Sequence, residues 1–170
     1  MKNTLKLALA VAIFALCGNV SAQNVKLAYI DLQELVVSMP EYDSAMVKLQ
    51  KFAANLENAL DEMNVEYNRK YDEFTRNQEN WSDLVRQSKG QELTQIGQRI
   101  QKFQEDASES YGMEQQKLTQ PVLEKANKAI DTVAKEQGIT MVFSSQGLLY
   151  KAAGTTDLLP AVKQHLGIKK

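Results

Sequence analysis

From Tyr42 to Thr119 the chain carries no proline and only three glycines, and almost nothing in the stretch interrupts a helix. Apolar or aromatic residues recur at Met46, Leu49, Ala53, Leu56, Leu60, Met63, Tyr67 and Phe74, in steps of three and four apart from one gap after Tyr67 that Lys70 or Tyr71 fills. That is a heptad stripe, the mark of a helix with one narrow apolar face. A second stripe runs through Leu93, Ile96, Ile100, Phe103, Ala107, Tyr111, Glu114 and Leu118. Two such helices bury their stripes by packing on each other. The pattern breaks at Asn77–Asp83, where two asparagines, a tryptophan and a Ser82 N-cap place the turn. Pro40 precedes the first arm and Pro121 is expected to interrupt the second, because proline lacks the amide an interior helical turn requires. Each arm then spans about 38 residues, roughly 57 Å at 1.5 Å per residue.

A two-helix hairpin covers only the face between its arms, so apolar groups off that seam stay in solvent unless another chain covers them. Leu84, Val85, Phe52, Tyr71 and Trp81 lie off the seam or at its margin. The rings Tyr67, Tyr71, Phe74 and Trp81, with Leu84, crowd the distal third of the arms. A solvent-exposed hairpin has no folding need for so many rings there, so these five are the candidate residues for binding another protein. The competing account is that they stitch the tip together.

The N-terminus reads as a leader. Lys2 and Lys6 flank the apolar run Leu5–Leu16, followed by Val20-Ser21-Ala22, small where a signal peptidase reads. Cleavage after Ala22 is expected, with residues 1–22 as signal peptide, and the run is too short to span a bilayer. A lipoprotein reading through Cys17 is the weaker one, because Leu16 stands where a small residue belongs. Without the leader, which holds the only cysteine and two of the 20 basic residues, 18 basic residues face 21 acidic ones. That balance argues against nucleic acid, whose binding rests on neutralising many phosphates. The cations Arg69, Lys70, Arg76, Arg86 and Lys89 are matched nearby by Asp72, Glu73, Glu79, Asp83 and Glu92. This is a mixed-charge solvated surface.

After the leader, Val25–Leu32 reads as a half-buried strand and Gln33–Met39 as a short helix capped by Asp31. Past the arms, Pro121–Gln137 is amphipathic and Gly138 closes it. Ile139–Ser144 and Leu148–Ala152 read as two strands of a β-hairpin around Ser145-Gln146-Gly147. Leu158–Leu166 makes a last helix, with Pro160 tolerable in its first turn. The fold class is α+β: a small β body from residues 23–40 and 121–170, with the hairpin of 41–120 inserted between strands one and two. Three strands bury little, so the sheet needs neighbouring chains for stability.

Chemistry is sparse. The lone His165 and the absence of any cysteine beyond the leader exclude zinc-type and Cys-His clusters. No nucleophile turn surrounds a serine, and the pairs Asp61-Glu62 and Asp72-Glu73 point in different directions from one helix. No glycine-rich phosphate loop occurs, and Asn80-Trp81-Ser82 matches a glycosylation sequon of low specificity. No catalytic residue, metal ligand or cofactor is expected, and the chain is not read as an enzyme.

The order of parts, with Leu27-Ala28-Tyr29-Ile30-Asp31 near the start and Gly138-Ile139-Thr140-Met141-Val142-Phe143, Leu148-Leu149-Tyr150 and Thr156-Asp157-Leu158 near the end, resembles the Skp/OmpH family of periplasmic chaperones. The resemblance covers the whole chain after the leader. It implies a homotrimer whose β body assembles from three chains through residues such as Leu27, Tyr29, Val142, Phe143 and Leu149. The hairpins hang from that body as tentacles around a cavity. It implies further that unfolded outer-membrane β-barrel proteins are held there without ATP in the periplasm. Weak contacts from scattered Met, Tyr, Phe and Leu side chains suit a client of alternating apolar strands. The chain departs from the family in charge, since members are strongly basic and this one is slightly acidic. Lipopolysaccharide or membrane contact is therefore not carried over. The rival reading is an envelope spacer or adaptor whose hairpin docks one fixed partner.

Overall fold

The computed structural model describes residues 25–168; the leader, its cleavage point after Ala22 and Cys17 lie outside that range. In chain order come β1 (Leu27–Ile30), α1 (Leu32–Val37), α2 (Pro40–Asn77), α3 (Asp83–Glu136), β2 (Met141–Ser144), a 3-10 turn at Ser145–Gly147, β3 (Thr156–Asp157) and α4 (Leu159–His165). Long helices dominate, and one small sheet joins the two ends of the chain.

Sequence chemistry sets most boundaries. Asp31 caps α1 by accepting the Glu34 amide at 2.9 Å, and Pro40 opens α2, where a missing amide costs nothing. Ser82 Oγ caps α3 through the Val85 amide. Gly138 (φ 64°) ends α3 in a left-handed turn that lets the Ile139 amide reach back to the Ala134 carbonyl at 2.9 Å.

The two long helices lie side by side. Ion pairs link Glu41 with Lys125, Glu66 with Arg99, Lys70 with Glu92 and Glu73 with Lys89, so residue numbers fall along α3 as they rise along α2. The helices therefore run in opposite directions.

Pro121 does not break the second helix, contrary to the sequence expectation. α3 runs for 54 residues against 38 in α2, with Pro121 inside it. The reason lies just beyond the proline. Val122, Ala126, Ala129 and Val133, spaced four, three and four, are buried in the body's core with Leu35, Met39, Leu158 and Val162. That burial holds the helix through the one hydrogen bond the ring forfeits, and Pro121 itself is exposed, so water can serve the unpaired carbonyl.

The sheet differs from the expected β-hairpin as well. Its order is β2-β1-β3 and both pairings are parallel, with Ala28 opposite Val142 and Thr156. Leu148–Ala152 is not a strand; Thr156–Asp157 takes its place in the sheet. The turn after β2 is pinned to the cap of α1, since Ser145 Oγ donates to Asp31 Oδ2 at 3.1 Å and the Gln146 amide nitrogen to Gln33 Oε1 at 2.8 Å. The chain thus leaves β2 sideways rather than folding back beside it. One face of β1, Ala28 and Ile30, is buried, while Leu27 is exposed and Tyr29 half-buried on the other.

Candidate protein-binding surfaces

Two surfaces carry apolar side chains that the single chain does not cover. The first lies at the distal end of the paired helices. Tyr67 and Tyr71 stack with ring centroids 6.2 Å apart, and Phe74 meets Trp81 edge to face at 5.9 Å. The structure thus gathers the four rings into two neighbouring pairs rather than one cluster. Tyr67 and Phe74, seven residues apart on α2, reach toward Gly97 and Gly90, seven apart on α3. Those glycines open two hollows into which rings from the facing helix lean, a heptad relation visible in the sequence but not drawn from it. Tyr67, Phe74 and Trp81 are half-buried in this packing, whereas Tyr71 is 51% exposed and Leu84 77% exposed. Five residues that read alike in the sequence therefore divide into three that help join the helices and two that face water.

The gap in the first stripe is filled by Lys70, not Tyr71. Its side chain is only 20% exposed and pairs with Glu92, while Lys89 sits 3.4 Å from Glu73 and 3.7 Å from Glu92. Hydrogen bonding from Lys70, with help from Lys89, holds the Glu92 carboxyl below the usual carboxylate range. A charged residue at a seam position fixes register, because a slipped pairing leaves it without a partner. Near the root, the Lys125 ammonium does the same to Glu41. Farther along α3, Asp106 raises the Lys102 ammonium, helped by Glu105 and Glu109.

Exposed apolar groups continue along the helices at Val47, Val65, Tyr111 and Met113. Val47 and Val65 are eighteen residues apart, five turns of helix, and so share one face of α2 about 27 Å apart.

The second surface belongs to the sheet. Leu27, Met141 and Phe143 are exposed on its outer side, Tyr29 is half-buried, and Val142 is half-buried against the core. The Lys151 ammonium stands 3.8 Å from the Tyr29 ring centre, and the Tyr29 hydroxyl donates to Asp157 Oδ2 at 3.3 Å. Asp157 also accepts the Leu159 amide at 3.0 Å just before α4. The segment from Leu148 to Thr155 therefore crosses above this face of the sheet and turns Leu149 and Tyr150 fully outward. Of the five residues named for assembly, Leu27, Tyr29 and Phe143 share the outer face, Val142 points inward and Leu149 stands above. Tyr150, which directly follows Leu149 in the apolar run, is exposed beside it.

Among the described residues no group of three or more His, Cys, Asp or Glu side chains gathers in a way that holds a metal ion. No helix among them is long and apolar enough to cross a membrane.

Such a molecule defines a class: a small sheet-and-helix body joined to two long paired helices, with exposed apolar surface on both. The chain matches the OmpH family, described as outer membrane protein (OmpH-like), over residues 26–166, and it belongs to that family. No curated protein sequence matches it. Among solved structures it is similar to a candidate outer membrane chaperone (OmpH-like) from Caulobacter crescentus CB15, with a TM-score of 0.75 over 88% of each chain at 13% identity. At that identity the likeness speaks for the fold.

Proposed function

We propose that the protein is an ATP-independent periplasmic holdase. It binds unfolded outer-membrane β-barrel proteins and keeps them from aggregating on the way to the outer membrane. It works as a homotrimer that closes through the outer face of the sheet, around Leu27, Tyr29, Phe143 and Leu149, and the paired helices act as tentacles. The observation that carries the reading is the apolar surface left in water along the helices, from Val47 and Val65 to Tyr71 and Leu84, which folding of the single chain does not use. Membership of the OmpH-like family supports it.

Scattered single contacts suit this task. A barrel strand presents apolar side chains on alternate residues, so an unfolded barrel protein offers many short apolar segments and no one shape. Tyr71, Leu84, Tyr111 and Met113 each supply a small contact, and Met and Tyr adapt to varied partners. Many weak contacts hold a chain tightly in sum, yet each lets go quickly, so release needs no nucleotide.

The test is to dilute a urea-unfolded outer-membrane barrel protein into buffer with and without this protein and follow light scattering. Suppression near one trimer per client is expected. A variant in which a short linker replaces 42–119 should still assemble but lose all suppression. Equal suppression by that variant, or none by the parent, overturns the proposal, and binding of a single folded partner with no effect on unfolded clients favours a spacer or adaptor.

A further inference from the structure

Val47, Val65 and Met113 are 66%, 67% and 58% exposed. Leu56 lies nine residues from each valine, two and a half turns of helix, so with Leu56 on the seam both valines stand on the back of α2. The fold leaves these groups in water, and their surroundings are not electrically neutral. Residues 52–68 hold four acidic side chains and no basic one. The register set by Glu66 with Arg99 and Glu41 with Lys125 lays that stretch beside residues 98–114, which hold four acids against Arg99 and Lys102. Elsewhere the signs balance: five of each from 69 to 97, and nine basic against eight acidic over 25–51 and 115–168 together. The net negative charge of the described chain is therefore a belt around the middle of the arm.

Within the belt, Glu57, Asp61, Glu62, Glu105 and Glu109 form no ion pair among the described residues. Asp61 and Glu62 precede Val65 by four and three residues, and Glu109 precedes Met113 by four, so each of these apolar groups has a carboxylate about one turn away. Lys102 reports which charge the belt favours. Asp106, followed by Glu105 and Glu109, holds its ammonium above the usual lysine range.

We infer that the middle of the arm is a docking surface for unfolded segments in which lysine or arginine neighbours apolar residues. Lysine and arginine fit both halves of this surface, since their stems lie along apolar groups while the charged head reaches a carboxylate. Acidic segments of equal hydropathy are turned away by the same charge. The inference rests on the holdase reading and names the clients that the arm prefers: barrel proteins whose lumen-facing residues, alternating with apolar ones, are basic rather than acidic.

Three labelled peptides of equal length test it, with leucine and tyrosine at alternate positions and only lysine, glutamine or glutamate between them. Fluorescence anisotropy should show the lysine peptide binding at least about tenfold tighter than the glutamate peptide at about 20 mM salt, with the gap shrinking to about twofold or less at about 300 mM, because salt screens contacts between exposed charges. A variant combining Glu57→Gln, Asp61→Asn, Glu62→Gln, Glu105→Gln and Glu109→Gln should lose the preference and keep its helicity and its affinity for the glutamine peptide. A control combining Asp43→Asn, Asp72→Asn, Glu79→Gln, Glu124→Gln and Glu136→Gln changes the net charge equally outside the belt and should keep the preference. Equal affinity for the lysine and glutamate peptides, no peptide binding, a preference that survives in the belt variant, or one lost equally in the control overturns the inference. If an unfolded barrel protein is still kept from aggregating, the holdase reading stands without it. If no peptide binds and barrel aggregation is unaffected, both are overturned.

Discussion

The body and the projecting helices are made from the same kinds of residue but are held together differently. In the body, Leu35, Met39, Leu158 and Val162 are wholly removed from water, drawn together from α1, α4 and the residues that precede α2 and α4, two stretches more than a hundred residues apart. Along α2, by contrast, nothing from Gln50 to Asn77 is buried, and the facing stretch of α3 contributes only Ile96. Two helices alone enclose few side chains on all sides. The arm persists on helix propensity, local i,i+4 pairs such as Lys102 with Asp106, and a half-covered seam. Weak cover has a consequence for function. Apolar side chains stay in reach of other molecules only where the fold does not claim them, which in this chain is along the arm and on the outer face of the body's sheet.

Truncating core residues breaks or sharpens the contrast most strongly. Leu158→Ala or Leu35→Ala should destabilise by roughly 2–5 kcal/mol, the range for a buried leucine, in urea unfolding followed by far-ultraviolet ellipticity. Leu60→Ala, half-buried in the arm, should cost less than half as much. Ile96→Ala, the one well-enclosed position of the distal seam, should fall nearer the body values. If Leu60→Ala costs as much as Leu158→Ala, the arm has cover that the single chain does not show, and the contrast fails.

A smaller effect comes from acid. The Glu34 amide, aided by the Ser145 hydroxyl, holds the Asp31 carboxyl below its ordinary 3.8, and the lysine partners of Glu41 and Glu92 hold those carboxyls below 4.5. A carboxyl with a depressed folded pKa stabilises the fold above its unfolded value, and the contribution disappears as pH falls through the folded value. The melting temperature should therefore be flat from pH 7 to about 5 and decline below it. Asp31 ties β1, α1 and the turn after β2 together in the body, whereas Glu92 and Glu41 bridge the long helices. Glu92→Gln should flatten part of the decline for the arm, and Asp31→Asn part of that for the body. A melting temperature that does not change between pH 5 and 3 would show that these contacts do not persist in solution.

How much of this was legible in the sequence follows the same division. The arm's elements were readable because heptad stripes, Pro40 and Ser82 act locally: α2 and α3 begin and turn where those residues place them. The body was less readable because its decisive contacts join remote positions. Nothing near Pro121 says that Val122 and Ala126 will be buried against Leu35 and Leu158, and that burial is what carries the helix through the proline. Leu148–Ala152 has the composition of a strand, yet Ser145 and Gln146 bond to Asp31 and Gln33 more than a hundred residues earlier and steer the chain away. At the tip, composition located the rings but could not rank them. Whether a ring is covered depended on Gly90 and Gly97 of the other helix, and whether Lys70 or Tyr71 filled the seam depended on Glu92.

The smallest expected effects separate these tip residues. Tyr71→Ser and Leu84→Ser remove groups that mainly face water, so each should change stability by no more than about 0.5 kcal/mol. Phe74→Ser removes a ring that rests against both Trp81 and α3, and it should lower the melting temperature measurably more than either. On client holding the order reverses if contacts are made by what is exposed. Tyr71→Ser and Leu84→Ser together should weaken suppression of aggregation slightly but reproducibly, and Phe74→Ser, once corrected for its lower stability, should not. Changing Tyr67, Tyr71, Phe74, Trp81 and Leu84 together should weaken holding clearly, because weak contacts add where single losses are compensated. A five-fold variant that keeps its helicity and suppresses aggregation as well as the parent would leave the rings with packing alone, and client contact would then have to be sought along the Val47–Val65 face and at Met113.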